Sequence, residues 1–444
     1  MDIMLTPEFL TIGMFSVLFI GVLTGFPLAI PIGGAGLIFG YAMFQDAAFD
    51  MIYTRVYAQL TNTGFMAVPL FVFMGGMLER SGIARRMYES LYISFGRFRG
   101  GLAIVSIMIG TIMAAAIGVI AASISMLAMV ALPVMIKRGY DKGLAAGCIC
   151  AGGTLGILIP PSIMLIVYGP AAWISVGKLF SAAFGPGLML SVLYMLYIGI
   201  RAFFQPSIAP AISKEEEGHY TFLLKAKMLI TSLLPTLILI LSVLGAIYTG
   251  IAAPTEAAAV GAVVSIILTI AYRQFNFKDL MEVALSTIKL TCMVLLIASM
   301  STAFVSVFLA GGGGDVVKDF ILGFPGGKWS VFAMIMAVTF VLGAFIDWVG
   351  IIFVLVPILS PIIPMLGFDP LWFAMMIIVN LQMSFLTPPF AYAMFFLKGA
   401  ADPALGIETK DIIRGMLPFV GMVALGLVLM IIFPQIVLWL PSKM

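Results

Sequence analysis

A proline pair occurs twice in this chain, each time inside an apolar stretch where a membrane helix would otherwise run unbroken. The first pair closes Gly152-Gly153-Thr154-Leu155-Gly156-Ile157-Leu158-Ile159-Pro160-Pro161. The second closes Asn380-Leu381-Gln382-Met383-Ser384-Phe385-Leu386-Thr387-Pro388-Pro389. The two align without a gap from Pro133/Pro361 through Gly139/Gly367 and Asp141/Asp369 to Pro161/Pro389, and eight of those 29 positions are identical. In an apolar chain a matched Ala or Ile carries little information, whereas matched Pro, Gly and Asp carry more. Duplicated interrupted helices are the sequence sign of a secondary transporter built from repeats.

The background is that of a membrane protein. Of the 444 residues, 62% are hydrophobic and 10% charged, against about a quarter charged in soluble domains. Apolar segments lie near 9–24, 27–44, 63–78, 100–136, 143–170, 179–200, 228–250, 255–272, 288–310, 329–364, 371–397 and 416–440, which predicts an all-α polytopic protein. No signal-peptide pattern precedes them. The net charge of +3 is spread through short loops and does not suggest a nucleic-acid partner. Cys148, Cys150 and Cys292 all fall in apolar segments and read as buried free thiols. His219 is the single histidine, which argues against a multi-histidine metal site.

Two segments are too long for one crossing. A straight helix over 100–136 would run about 55 Å against a hydrocarbon core of about 30 Å, and 329–364 has the same excess. Each reads as a re-entrant hairpin. With the N-terminus outside and both hairpins re-entrant, 18 of the 23 Lys and Arg fall in inside loops and 5 outside, in keeping with the positive-inside rule. Gly139-Tyr140-Asp141 then lies inside and its counterpart Gly367-Phe368-Asp369 outside. The copies have inverted topology, the arrangement for alternating access around a midplane site.

Residues 79–99 place Ile83, Met87, Leu91 and Phe95 at helical spacing among basic residues, which predicts an amphipathic helix on the inner surface; a solvated loop is the alternative. Ser213-Lys214-Glu215-Glu216 fits a capping box opening a short helix in the polar linker 205–227.

Each copy offers a hairpin tip and a broken helix. The first tip, Gly118 to Ser125, supplies the hydroxyls of Ser123 and Ser125. The first break supplies Gly152, Gly153 and Thr154 before Pro160, whose ring removes a donor and frees carbonyls of the preceding turn. Freed carbonyls in hydrocarbon need a ligand or water, and with the hydroxyls they make an oxygen cage suited to Na⁺. A pure kink is the alternative. The second tip is Phe345 to Gly350. Asp347 there is an intramembrane carboxylate, a functional candidate by default, and it also reads as the N-cap of the second hairpin arm. The second break adds Asn380, Gln382, Ser384 and Thr387. Substrate is expected between the tips, at Ser123, Ser125, Asp347, Gly350 and Thr387.

Thr255 reads as an N-cap with Glu256 in the first turn, a structural pairing. Gly311 to Gly314 lacks the Lys-Ser/Thr of a P-loop and reads as a flexible outer loop. No Lys or Arg falls inside a membrane segment, so a carboxylate substrate would be held by helix N-termini, amides, hydroxyls or the coupling ion.

Gly152 to Ser162, Ala253-Pro254-Thr255-Glu256-Ala257-Ala258 and Leu386-Thr387-Pro388-Pro389 together resemble the large membrane subunit of tripartite ATP-independent periplasmic (TRAP) transporters, over essentially the whole chain. The resemblance implies a bacterial inner-membrane, Na⁺-coupled importer with an elevator mechanism, a separate small membrane subunit and a periplasmic substrate-binding protein. It also implies Na⁺ sites formed by the hairpin tips and broken helices. These fall here on Ser123, Ser125, Gly152, Gly153, Thr154 and Pro160, and on Asp347, Gly350, Asn380, Gln382, Ser384 and Thr387. Where the family pattern has a denser Gly-Ser-Ser run at the first tip, this chain has Ala121-Ala122-Ser123-Ile124-Ser125.

The expected fold is therefore an inverted-repeat elevator transporter with two re-entrant hairpins and two broken helices. Residues 1–99 form scaffold and the amphipathic helix, 100–172 the first transport repeat, 173–328 further scaffold and linkers, 329–400 the second repeat and 401–444 a C-terminal helix. The expected cargo is a small organic anion such as a carboxylate or sugar acid. A stand-alone Na⁺/carboxylate symporter is the alternative. An intramembrane hydrolase lacks a nucleophile–base pair, so an enzyme is not expected, and a continuous channel suits paired hairpins less well.

Overall fold

A computed structural model describes residues 6–95, 98–211, 222–389 and 391–444. Among them every regular element is helical. The first repeat runs through α6 (Gly101–Ile117), α7 (Ile120–Val130), α8 (Leu132–Lys137), α9 (Lys142–Thr154) and α10 (Ile163–Ala172). The second runs through α16 (Gly327–Gly343), α17 (Trp348–Leu359), α18 (Ile362–Met365), α19 (Pro370–Phe385) and α20 (Tyr392–Ala400). Local chemistry sets matched boundaries. Asp141 and Asp369 are N-caps whose carboxylates accept from Leu144 N, and from Leu371 N and Trp372 N, at 2.9 Å, satisfying otherwise orphaned amides. Gly139 and Gly367 precede them at φ +76° and +73°, and both proline pairs carry a cis bond. The correspondence reaches upstream of the stretch where the sequences align: α7 and α17 start at equivalent residues, after extended N-caps at Val119 and Asp347.

The neighbours of α9 show how the first repeat folds back. Along α6, Ile107 and Gly110 lie beside Gly152, and Gly118 lies beside Pro161. Along α7 the order reverses, with Ser123 beside Gly156 and Ile124 beside Gly153; Met135 in α8 then meets Cys148. So α6 runs with α9 and α7 runs against it, and the chain doubles back at Gly118. The two ends of this hairpin meet one segment, since Gly100 N donates to Ala209 O and Asp141 N to Ile208 O. In the second repeat Trp329, Met336 and Phe340 lie beside Trp372, Asn380 and Ser384 in turn. The outgoing Trp329 packs on the returning Phe368 with ring centroids 5.4 Å apart.

A single helix, α21 (Thr409–Ile432), reads out the relative orientation of the repeats. Near its start Gly415 packs on Gly143 and Gly147 of α9. Near its end the Met430 carbonyl accepts from the Trp372 indole of α19. The broken helices therefore begin at opposite ends of one long helix. The Gly415 contact depends on missing side chains: a Cβ on Gly147 would lie 2.1 Å from the Gly415 carbonyl oxygen. Small residues that let backbones approach are the usual glue between membrane helices, where lipid removes the hydrophobic drive.

The remaining helices are α1 (Pro7–Leu23), α2 (Ala29–Phe44), α3 (Ala47–Leu60), α4 (Ala67–Arg80), α5 (Ile83–Phe95), α11 (Val176–Phe204), α12 (Phe222–Tyr248), α13 (Pro254–Ala271), α14 (Phe277–Ala310), α15 (Gly313–Leu322) and α22 (Gln435–Leu438). Among the described residues six helical stretches are long and apolar enough to cross a membrane. The pair α3 and α4, bent by 48°, could make a seventh. The half-length apolar helices include α6 and α16, both pieces of the first broken helix and the first piece of the second, as interruption requires.

Several expectations change. The helix α3 falls where the sequence reading had a loop, because its amphipathic pattern lacks a long apolar run. The expected segment 288–310 is the last part of the 34-residue α14, whose first turns carry charges that hide them from a hydropathy reading. Gly311 to Gly314 is no loose loop: Gly312 turns at φ +81° and Gly313 opens α15, with Gly311 against Leu10 and Gly313 against Phe308. The N-cap of α13 is Ala253, not Thr255, since Pro254 takes the first helical position and Glu256 accepts from Ala253 N at 2.9 Å. Cys148 and Cys150 are buried, whereas Cys292 is exposed. The amphipathic helix of 79–99 is α5, which buries Ile83, Met87 and Leu91. The expected short helix at 213–216, like His219, lies outside the described residues.

Candidate functional site

The tips of the two hairpins face one cavity of about 640 Å³. Gly118 to Ala121 come from one tip and Phe345 to Trp348 from the other. The wall is completed by the α1–α2 turn at Gly25 to Leu28, by α14 at Leu290 to Ile297, and by Tyr392 and Phe396. Five of its lining residues, Ala29, Ile120, Ile163, Trp348 and Tyr392, are the first residues of α2, α7, α10, α17 and α20. Five helix N-termini thus open on the same space. Each turns the positive end of a helix dipole toward it, so together they favour an anion. Asp347 is the only charged residue among the described residues that line the cavity.

Asp347 holds the N-cap of α17 with extended backbone. Its carboxylate lies toward the amides of Trp348 and Val349 without closing a cap bond of ordinary geometry, which leaves its oxygens able to take a cation as well. Gly350, a turn further on, packs against Leu28 of the α1–α2 turn, where a Cβ would come within 2.4 Å.

Ser123 is fully buried and its hydroxyl has no hydrogen-bond partner. It faces Gly156 in the short 3₁₀ turn that ends the first half of the broken helix, 3.0 Å from where a Cβ would stand. A buried hydroxyl without a partner costs free energy that a ligand or water would recover, and an oxygen donor beside interrupted backbone fits a small hard cation. Gly152 and Gly153 let α6 and α7 close on α9, and Pro160 forms the bend. Thr154 donates to Ala151 O at 2.9 Å and accepts from Gln382 Nε2 at 3.4 Å.

In the second repeat the polar side chains also stitch helices together. Asn380 Nδ2 donates to Met336 O at 2.8 Å and Ser384 Oγ to Phe340 O at 3.0 Å, tying α19 to α16. Thr387 Oγ1 donates to Met383 O at 2.9 Å. The hydroxyl protons of Ser384 and Thr387 and one amide proton of Asn380 are thus used within the protein. Gln382 Nε2 also reaches Tyr194 OH at 3.5 Å. Of the residues expected to bind substrate, Asp347 lines the central cavity, Ser123 sits in the wall behind it, and Ser125 lines a neighbouring cavity of about 270 Å³. Gly350 and Thr387 do not line either. The sequence reading gave no role to the α1–α2 turn, α14 or Tyr392; the break at Gly25-Phe26-Pro27 was the one visible signal, and the same tripeptide recurs at Gly323-Phe324-Pro325, just before α16.

Mirrored helical units closing on one cavity inside an apolar helical body define a membrane transporter, not an enzyme. The chain belongs to the family described as tripartite ATP-independent periplasmic transporter, DctM component, whose pattern matches residues 15–436. It is 31% identical over 403 residues to the C4-dicarboxylate TRAP transporter large permease protein DctM of Pseudomonas aeruginosa, covering 90% of this chain and 91% of that protein. It is 29% identical over 423 residues to the ectoine TRAP transporter large permease protein TeaC of Halomonas elongata, covering 94% and 96%. Its fold is similar to the crystal structure of the YdaH transporter of Alcanivorax borkumensis, with TM-score 0.61, 15% identity, and coverage of 89% and 91%.

Proposed function

We propose that this chain is the large permease subunit of a Na⁺-coupled importer for a small organic anion. It works in a bacterial inner membrane with its N-terminus in the periplasm. The observation that carries the reading is the convergence of five helix N-termini and one carboxylate, Asp347, on a single cavity between opposed hairpin tips. Helix N-termini attract an anion, and a carboxylate beside them calls for a cation to offset it. A coupling ion supplies that cation, and the substrate site becomes competent when the ion is bound.

One Na⁺ is assigned to each repeat: Ser123 with the break at Gly152 to Pro160, and Asp347 with the break at Asn380 to Thr387. The hairpins are read as re-entrant because Gly118 packs at Pro161, midway along the 142–172 stretch, and Gly343 packs at Ser384, midway along 370–400. The moving body in an elevator cycle comprises both repeats with α11 and α21, which pack directly on them. The helices α1 to α4 and α12 to α14 form the stationary part. A separate small membrane subunit and a periplasmic binding protein fit the tripartite family description, and in this reading the binding protein selects the anion.

The test is reconstitution of the chain with its small subunit and binding protein in vesicles, with uptake of the anion that the binding protein captures. Uptake driven by an inward Na⁺ gradient, absent with K⁺ and absent without the binding protein, is expected. Equal uptake in K⁺ would overturn the coupling. Na⁺-driven uptake of free anion by the chain alone would favour a stand-alone symporter.

A further inference from the structure

The neighbouring cavity of about 270 Å³ shares Val119, Ala121 and Leu290 with the central one and extends from the first hairpin tip to the C-terminal end of α4. Its polar lining includes Ser125, Thr287, Glu79 and Arg80. Thr287 is 7% exposed and its hydroxyl has no partner, so a buried polar group is held toward this space with nothing to bond. At the far end Arg80 Nη1 lies 3.0 Å from Asp279 and Nη2 lies 2.9 Å from Glu282. The guanidinium thus already receives two carboxylates through its two terminal nitrogens.

We propose that this second cavity is the release chamber for the transported anion, and that Arg80 is the residue that draws the anion into it. The proposal rests on the importer reading above. While the coupling ions are bound, the helix N-termini hold the anion in the central cavity. Once they leave, Asp347 faces the anion unneutralised and repels it. The chamber that opens beside the first tip offers hydroxyl donors and, where an incoming carboxylate displaces Asp279 or Glu282, the Arg80 guanidinium. Arg80 recognises carboxylates in a planar fork, and Asp279 and Glu282 occupy that fork between cycles. With both sides of these ion pairs about a third to a half exposed, they hold weakly and exchange for a passing carboxylate at little cost. Glu79, on the same wall, keeps the chamber from retaining the anion.

The chamber is tested without knowledge of the substrate. In the full-length protein carrying Cys292→Ser, Thr287→Cys is reacted with two membrane-impermeant methanethiosulfonates, one bearing a sulfonate and one a trimethylammonium. Cys148 and Cys150 are buried and serve as the unreactive background. Labelling from the cytoplasmic face is expected, with the anionic reagent favoured. That preference should fall at least fivefold in Arg80→Gln, persist in Arg80→Lys, and rise when Asp279→Asn and Glu282→Gln free the guanidinium. Labelling from the outer face alone, no labelling of Thr287→Cys, or a preference unchanged by Arg80→Gln would each overturn the proposal. Failure of the importer reading would show separately, as reconstituted uptake that ignores Na⁺.

Discussion

Gln382 Nε2 lies 3.4 Å from Thr154 Oγ1, and the two residues stand 228 positions apart, the offset that relates the two proline pairs. Equivalent positions of the repeats therefore touch each other. A residue can meet its own counterpart only where an axis relating the copies passes between them, as at an isologous interface. The contact marks the pseudo-twofold axis of the molecule. It joins the ends of both interrupted helices to Tyr194 of α11.

Both hydrogen bonds from Gln382 are long, and its Oε1 is buried without a partner. Packing rather than hydrogen bonding is then the larger contribution of this side chain. Gln382→Leu, which fills the space and removes the orphaned oxygen, is expected to change stability by less than about 1 kcal/mol. Gln382→Ala leaves a void and is expected to cost about 2–4 kcal/mol. Thermal unfolding of the detergent-solubilised protein checks the order; equal melting temperatures for the two variants would contradict it.

The approach of α9 to α21 leaves no room for a methyl group. Gly147→Ala and Gly415→Ala would put a Cβ 2.1 Å and 1.9 Å from backbone oxygens, contacts that must force the helices apart. Each is expected to cost about 1–3 kcal/mol or more by overpacking. Gly421→Ala, on the same helix α21 with nothing within 4 Å of the added Cβ, is the neutral control. Parallel thermal-shift measurements on the three variants compare them directly.

Asp347 combines a helix cap with a charge, and the two separate by substitution. Asp347 holds the N-cap position without a closed cap bond, and Asn suits that position about as well as Asp, so Asp347→Asn removes the charge at little structural cost. The half-saturating Na⁺ concentration for uptake is expected to rise at least about tenfold, equivalent to about 1.4 kcal/mol, with little change in melting temperature. Unaltered Na⁺ activation in this variant would remove Asp347 from the ion site.

The unpartnered hydroxyl of Ser123 gives an opposite signature. Without Na⁺, Ser123→Ala is expected to be neutral or slightly stabilising, because it deletes an unsatisfied buried group. With Na⁺, the wild-type protein gains stability by ligand linkage, and the variant should lose a large part of that gain. Melting curves in NaCl and in KCl measure both halves. An identical Na⁺-induced rise in the two proteins would assign Ser123 to packing alone.

Legibility in the sequence followed the range of the interactions. The repeat was visible because Pro, Gly and Asp act on their own backbone: Asp141 and Asp369 cap the turn that follows, Gly139 and Gly367 take positive φ, and the proline pairs stop a helix. The hairpin tip at Gly118 was visible for the same reason. The face of α5 was visible because charges alternate with apolar residues. The long N-terminal extension of α14 and the helix α3 were not, since charges in a helix that leaves the apolar region look like a loop to a hydropathy reading. Thr255 looked like an N-cap until Pro254 was seen to occupy the first helical position.

The sequence by itself thus determined the duplication, the positions of both breaks, the caps that set their register, and the candidate ligands Ser123, Asp347, Asn380, Gln382, Ser384 and Thr387. Tertiary structure alone decided which of these meet. It set Thr154 against Gln382, left Ser123 without a partner, spent the protons of Asn380 and Ser384 on the carbonyls of α16, and brought the α1–α2 turn and α14 to the cavity. In a chain that is apolar on nearly every helix face, periodicity does not say which face meets which neighbour. That choice is made by the fit of small residues and by polar groups that must find partners away from water, and both are properties of the assembled helices rather than of any one of them.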